Sequence, residues 1–269
     1  MSCFAPLRGW WSRERTPLGK RRVVFSGSEG YADLPVDVPC GQCIGCRQEQ
    51  KRQMAIRCMH EASLHDENCF LTLTYDDAHL PEYGSLRKAD FQKFMKRLRK
   101  FFAPRRVRFL HSGEYGDDKL RPHYHALLFG VDFPDKYKWS TRGRFPVYRS
   151  PTLETLWKGG QSEIGTVTYA SAAYVAKYCV KKLTGVEGHE QYKALDHRTG
   201  ELVPVEAEYA TMSRRPGIGA EWYRKYGEEV YRDGTVVIDG VEVRAPRYYD
   251  KLAEEDRPAQ LRRVKRKRM

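Results

Sequence analysis

Two histidines two residues apart, in Arg121-Pro-His123-Tyr-His125-Ala-Leu-Leu-Phe129, are the first side chains here whose spacing could do chemistry. Pro122–Phe129 has strand composition, and side chains two apart on a strand share a face. Each imidazole can then give one nitrogen to a common ion. Glu114 lies nine residues before His123. Gly113, Gly116 and Asp117-Asp118 make a turn between the strands Arg105–Glu114 and Pro122–Phe129, which predicts a hairpin. Across that hairpin the carboxylate reaches the same ion. Two imidazoles and one carboxylate leave coordination positions open for a phosphate oxygen. Strand histidines two apart are also common without any ion; Glu114, the hairpin and the apolar strand are what argue for a metal.

The second motif is Tyr174-Val-Ala-Lys177-Tyr178-Cys-Val-Lys181-Lys182. Tyr174 and Tyr178 are one turn apart on one helical face, each with a lysine three residues later. A phenol with a pKa of about 10 is a poor nucleophile at neutral pH. Lysine charge and a polarised phosphate would help it attack. The product would be a covalent phosphotyrosine and a free hydroxyl, and a second tyrosine would allow a second cut before the first link is resolved. Read alone, the stretch is more simply an amphipathic helix with tyrosine at its rim and lysine in solvent, packed through Ala172, Ala173, Val175, Ala176, Cys179 and Val180.

Cys40, Cys43 and Cys46 form a CxxCxxC run. Three thiolates at this spacing can bind one Zn²⁺ with a fourth ligand from elsewhere. Cys3 is the first candidate, with Cys58 and His60 as competitors. An iron–sulfur cluster fits less well, since its usual runs carry a fourth nearby cysteine. Free thiols at a helix start are the plainer alternative.

Composition narrows the partner. The 269 residues carry 48 Lys+Arg against 35 Asp+Glu, a formal charge of +13. That excess favours a polyanion, nucleic acid before an acidic membrane. The basic candidates are Arg97, Lys100, Arg105, Arg106, Arg108, Lys182 and the tail from Arg262 to Arg268. Tyr115, Tyr124 and Trp139 are candidates to stack unpaired bases. No run of about 18 apolar residues occurs, which excludes a transmembrane helix, and no secretory signal is expected at the start. Seven cysteines, an odd number, suit a reducing compartment.

The elements that must position these groups follow from periodicity. Residues 1–39 read as irregular because of Pro6, Pro17, Pro35 and Pro39, apart from a short strand at Arg22–Phe25. Residues 47–64 read as a helix, Phe70–Tyr75 as a strand, and a helix capped by Ser85 runs to Phe102. Residues 131–150 read as a loop and 153–157 as a short helix. Glu163–Thr168 is a fourth strand and Ala170–Leu183 a helix. Residues 186–206 carry no clear pattern. A short aromatic-rich helix is expected near Trp222–Val230 and a hairpin around Asp239-Gly240, with a disordered basic tail from Leu261. This order predicts an α+β protein with a central antiparallel sheet flanked by helices. It divides into an N-terminal cysteine-bearing extension (1–60), a core that carries the histidine and tyrosine motifs (61–185) and a C-terminal region (186–269).

Together the motifs resemble the HUH endonuclease superfamily, named for its His-apolar-His pair, with Tyr124 in the middle position. The order is also similar: strand Phe70–Tyr75, metal motif 121–129, tyrosine helix 174–182. The segments Pro39–Arg47, Ala55–Ala62 and Met212–Gly219 are similar to the gokushovirus branch of single-stranded DNA phages. The resemblance spans about Cys3 to Gly219. It implies a ferredoxin-like, RRM-type core and a rolling-circle replication initiator. Such proteins nick one origin strand, stay joined to its 5′ phosphate through tyrosine, and leave a 3′ hydroxyl for the host polymerase. It further implies His123, His125 and Glu114 as ligands of Mg²⁺ or Mn²⁺, Tyr174 and Tyr178 as nucleophiles, and Lys177 and Lys181 as residues orienting tyrosine or phosphate. The setting it implies is the cytoplasm of a bacterial host. No GxxxxGK[ST] P-loop is found, so a host helicase would unwind the duplex. The competing functions are a relaxase or single-strand transposase with the same chemistry, and a zinc-stabilised DNA-binding regulator with none.

Overall fold

The computed structural model describes residues 3–17, 19, 21–116, 120–180 and 192–267. The chain divides into two compact units, residues 1–50 and 51–269.

The first unit contains strands β1 (Leu7–Arg15), β2 (Arg21–Val24) and β3 (Gly30–Val38) in an antiparallel sheet of order β2-β1-β3. The strand expected at Arg22–Phe25 is β2, and the expectation that the rest of the segment is irregular is corrected by β1 and β3. Pro6, Pro17 and Pro39 fall just outside the strands, where they end pairing without breaking it. Pro35 lies within β3, an edge strand, where a missing N–H costs no ladder bond if it faces outward. Helix α1 (Ile44–Ala62) begins in this unit and ends in the second.

In the second unit follow β4 (Asn68–Tyr75), α2 (Lys88–Phe101), β5 (Arg108–Tyr115), β6 (Pro122–Phe129), β7 (Tyr137–Arg142), β8 (Phe145–Arg149), α3 (Pro151–Leu156), β9 (Gly160–Gly165) and α4 (Tyr169–Val180). Then come β10 (Lys193–Leu195), β11 (Leu202–Pro204), β12 (Tyr209–Met212), α5 (Ala220–Asp233), β13 (Thr235–Ile238), β14 (Val241–Arg244), α6 (Arg247–Asp256) and α7 (Pro258–Lys267). Seven of these strands form one antiparallel sheet of order β12-β5-β6-β4-β9-β8-β7. The α+β architecture is as expected. The strand β12, from beyond residue 185, closes one edge by pairing with β5.

Alternation along the strands splits the core into two layers. Cys69, Leu71 and Leu73 of β4 and Tyr124, Ala126 and Leu128 of β6 face α2 and α3, against Phe91, Phe94, Leu98, Leu153 and Trp157. Phe70, Leu110, Leu127 and Phe129 face the other way, against Ala55 and Cys58 of α1 and Ala172 and Val175 of α4. A third cluster joins Ile56 of α1 to Tyr223, Val230, Tyr249, Ala253, Leu261 and Val264.

Four further expectations are corrected. Helix α2 begins at Lys88 with Arg87 at its cap, while the Ser85 hydroxyl accepts from the Glu206 amide. The fourth strand begins earlier, at Gly160, opposite Tyr75. Gly160 has φ +130°, and a Cβ there would lie 2.3 Å from the Asp76 amide nitrogen, so only glycine can start the strand this close. Residues 137–149 form the β7–β8 hairpin rather than a loop. The basic tail is helical through Lys267 because Leu261 and Val264, three residues apart, are buried on one face. The second predicted hairpin turns at Asp239 and Gly240, both with positive φ (50° and 79°), as a tight two-residue turn requires. Among the described residues no helix is long and apolar enough to cross a membrane.

Candidate active site

The β5–β6 hairpin sets the geometry. Its register puts Glu114 opposite His123 and Ser112 opposite His125. Glu114, His123 and His125 therefore share the sheet face that α4 covers. Their ligand atoms all lie within 4.8 Å of one another, as a metal site needs. Glu114 is 1% exposed and His125 7%.

The hydrogen bonds orient both rings. Nδ1 of His123 is 3.0 Å from the Arg121 carbonyl, which can only accept, so Nδ1 carries a proton. Nε2 then faces Oε1 of Glu114 at 2.9 Å. Either that nitrogen is protonated as well, or a cation sits between two lone-pair donors. Nδ1 of His125 is held by the Thr72 hydroxyl at 3.1 Å, from the directly paired position of β4. Phe70 stacks on the same ring, centroids 5.5 Å apart. Nε2 of His125 comes within 2.7 Å of Oε1 of Glu114 yet makes no hydrogen bond, and Oε2 of Glu114 is buried with none. Buried polar atoms left in this way are the environment a cation completes. The residues fit a divalent metal, with outer hydrogen bonds fixing which nitrogen faces it.

Electrostatics follow. Burial pushes the Glu114 carboxyl up, but His123, His125 and the Tyr174 hydroxyl reverse this and hold it down at about 2. Burial also opposes charge on His123, yet Glu114 and the Arg121 carbonyl raise its pKa above the ordinary value. His125, more deeply buried, is lowered.

Helix α4 delivers the tyrosines. Thr168 and Ser171 cap its start reciprocally: the Ser171 amide donates to the Thr168 hydroxyl at 3.2 Å and the Thr168 amide to the Ser171 hydroxyl at 2.9 Å. Ala172, Val175 and Ala176 are buried, which leaves Tyr174 at the rim. The Tyr174 hydroxyl donates to Oε1 of Glu114 at 2.8 Å, and its ring meets His125 edge-on at 5.0 Å. Tyr178 is buried, its ring 5.9 Å from that of Tyr174. Lys177 is exposed, with Nζ 5.4 Å from the Tyr178 ring centroid. Lys181 and Lys182 lie outside the described residues.

The expected DNA-contacting residues are more scattered. Arg108 is corrected: it is 2% exposed, ion-paired with Glu61, and donates to the carbonyls of Pro216 and Gly217 at 3.1 and 3.2 Å. Its charge is used inside the fold. Arg97 donates to the Leu156 carbonyl at 2.8 Å, Arg105 pairs with Glu67, and Arg106 pairs with Glu221 at 3.3 Å. Lys100 is exposed on α2, a helix on the sheet face opposite the histidines. Tyr124 is fully buried and bonded to Tyr75 at 2.8 Å, so it cannot stack on a base. Tyr115 donates to the Glu206 carbonyl at 2.6 Å, whereas Trp139 is exposed. Thr72, Phe70 and the Arg121 carbonyl escaped the sequence reading, because only the β4–β6 register brings the first two to His125.

In the first unit Cys3, Cys40, Cys43 and Cys46 converge, with sulfurs within 4.8 Å of one another. Cys3 is 3.7 Å from Cys40 and 3.9 Å from Cys43. Tetrahedral coordination with bonds of about 2.3 Å separates sulfurs by about 3.8 Å. Backbone amides point at the sulfurs: Phe4 to Cys43 at 3.4 Å, Cys40 to Cys3 and Cys43 to Cys40 at 3.3 Å. The amides of Phe4 and Cys46 pull the Cys43 thiol down to about 6, while burial pushes Cys46 up to about 12. The competitors are engaged elsewhere. Cys58 is in the core, and His60 stacks on Trp222 and bonds Tyr249 at 2.8 Å.

A family model described as a replication-associated protein of the ORF2 type matches residues 68–183, which include the histidine pair and both tyrosines. Replication-associated protein VP4 of Bdellovibrio phage phiMH2K is 38% identical over 267 residues, covering 96% of this chain and 79% of its own. Replication-associated protein ORF2 of Spiroplasma virus 4 is 35% identical, covering 81% of this chain and 68% of its own. Replication-associated protein ORF4 of Chlamydia phage 1 is 30% identical, covering 81% and 55%. No solved structure matches the chain. With similarity running through nearly its whole length, the chain belongs to the replication-associated proteins of the Microviridae phages.

Proposed function

We propose that this protein initiates rolling-circle replication by nicking and rejoining single-stranded DNA at the phage origin, with Tyr174 as the first nucleophile. The observation that carries this reading is the Tyr174 hydroxyl 2.8 Å from Glu114, beside His123 and His125. The Tyr174 oxygen attacks the scissile phosphorus and gives up its proton. The bond from phosphorus to the 3′ oxygen breaks, and that oxygen takes up a proton and leaves as a 3′ hydroxyl. One phosphate ester replaces another, so the link keeps the bond energy that rejoining needs. Tyr178, one turn along, makes the second cut while Tyr174 is occupied. Lys177, with Lys181, assists by favouring phenolate and phosphate charge.

Glu114, His123 and His125 would hold Mg²⁺ or Mn²⁺, which when bound polarises the phosphate and steadies charge on the departing oxygen. The four cysteines would hold a structural Zn²⁺, a reading supported by their sulfur spacing and amide contacts. The 3′ hydroxyl would prime a host polymerase and a host helicase would open the duplex, both in the bacterial cytoplasm. Names of phage replication proteins among the relatives favour this setting over conjugation or transposition. The test is incubation with labelled single-stranded circular DNA carrying the phage origin, with Mn²⁺ or with EDTA, followed by a denaturing protein gel. A labelled protein band with Mn²⁺ alone is expected. DNA binding without any such band would leave a non-enzymatic binding protein.

A further inference from the structure

The β7–β8 hairpin has no part in the site described above. From Lys136 to Arg149 the chain carries five basic residues (Lys136, Lys138, Arg142, Arg144, Arg149), four aromatic ones and no acid. Its strand β7 forms one edge of the seven-stranded sheet. Charge on an edge strand is a common guard against sheet-to-sheet pairing. That does not account for the aromatics. Trp139 is 57% exposed, Tyr137 46% and Phe145 44%. Three large rings in solvent on one hairpin mark a contact surface. Arg149 steadies Trp139 from 4.9 Å and Arg144 lies 5.1 Å from the Phe145 ring centroid, so rings and charges are interleaved.

At the turn end of the hairpin is a groove of about 190 Å³ lined by Phe70, Thr72, Arg142, Phe145, Pro146 and Ser171, among others. Two of these touch the catalytic face directly. Phe70 stacks on His125 and Thr72 bonds its Nδ1. The groove therefore adjoins the two residues that hold His125 on one side and reaches the exposed Phe145 on the other. Arg142 stands at its wall, bridged to Glu163 at 2.9 Å.

We infer that the β7–β8 hairpin is a single-strand clamp. It takes the unpaired nucleotides that flank the scissile phosphate, with one base in the groove against Phe145 and the next on Trp139. The inference rests on the nicking reading above and adds where the strand runs. Lys138 and Arg144 offer charge to a polyanion, whereas Lys136, Arg142 and Arg149 are ion-paired with Asp132, Glu163 and Glu154. The main attraction is stacking on the aromatic rings, which needs bases free of a partner strand. A duplex would meet only the charges.

The test uses the full chain without added Mg²⁺ or Mn²⁺ and with the Tyr174→Phe and Tyr178→Phe substitutions in every protein compared, so that no cleavage occurs and zinc is not stripped. A fluorescein-labelled single-stranded oligonucleotide carrying the origin and a duplex of the same sequence are titrated by anisotropy. Trp139→Ala and Phe145→Ala should each weaken single-strand binding by about 5- to 50-fold and change duplex binding less than about twofold, while Trp139→Phe keeps most of the affinity. All three variants change exposed side chains, and their melting temperatures are checked against the parent. Single-strand affinity unchanged in both alanine variants would overturn the proposal. So would equal losses for single strand and duplex, since the hairpin would then be a general charged surface. Covalent adduct formation by the parent protein is scored separately. An adduct with unchanged variant binding sinks the clamp alone, and selective binding losses with no adduct leave the clamp standing and sink the nicking.

Discussion

The Tyr174 hydroxyl and the Glu114 carboxylate meet at 2.8 Å, which ties helix α4 to strand β5 at the point where His123 and His125 converge. A tyrosine packed only for stability has no need of this contact. Tyr178 sits one turn on and is buried, so the two phenols are not equivalent.

That inequality predicts separate phenotypes. Tyr174→Phe should lower the first nicking event by at least about a thousandfold, as loss of a nucleophile does. Tyr178→Phe should still nick and form an adduct but fail to release closed circles. Time courses on a labelled origin strand would show this. Equal loss of the first nick in both variants would contradict the order.

Metal dependence should reach beyond the three ligands. His123→Ala, His125→Ala and Glu114→Ala should each abolish metal-stimulated nicking. Thr72→Val removes the hydroxyl that holds Nδ1 of His125 while keeping the side chain's shape. It should raise the Mn²⁺ concentration needed for half-maximal nicking by about 10- to 100-fold, with maximal rate largely retained. A manganese titration that is identical for Thr72→Val and the parent would remove Thr72 from the site.

The Glu61–Arg108 pair should govern stability. Both side chains are buried, and Glu61 also accepts from the Gly219 amide at 2.7 Å. Burial alone would raise the Glu61 carboxyl, but His65, Arg108 and that amide lower it to about 2, against an ordinary value of 4.5. A depressed carboxylate stabilises the fold fully above its unfolded pKa and loses that contribution as pH falls through the folded one. Stability should therefore decline between about pH 4.5 and 2 on this account. Glu61→Gln should flatten that decline and cost about 3–5 kcal/mol at neutral pH, because it leaves Arg108 buried without its counter-charge. Denaturant melts across pH would measure both. A loss under about 1 kcal/mol would mean the pair is dispensable.

The cysteine cluster should copurify with about one zinc per chain. Cys3→Ala should lose it as Cys43→Ala does, since all four sulfurs converge. Metal analysis beside thiol titration decides the matter. Parent protein with no zinc and every thiol reactive would show a free-thiol loop.

The histidine hairpin was legible because its signals are local. Strand β6 carries the histidine pair straight into the apolar run Ala126–Phe129, and it pairs with β5, which ends only seven residues earlier, so that Glu114 lies opposite His123. The tyrosine helix was legible for the same reason. Thr72 and Phe70 were not, because their role depends on the pairing of β4 with β6, more than fifty residues away. The β7–β8 hairpin escaped because β7 is exposed along its length and so lacks the alternation that marks a half-buried strand. Of the first sheet only β2 was legible, at Arg22–Phe25; β1 and β3 escaped because prolines that bound strands look, in sequence, like prolines that prevent them. Arg108 looked like a surface cation, and only Glu61, 47 residues earlier, makes it an internal one.

The most direct test of the central claim is to map the covalent link itself. Trypsin cuts after Lys177 and so separates Tyr174 from Tyr178. After a single round of nicking with Mn²⁺, nuclease trimming and mass spectrometry should find the nucleotide remnant on the peptide ending at Lys177, attached to Tyr174. A remnant confined to the peptide that begins at Tyr178, or found on neither tyrosine, would contradict the account.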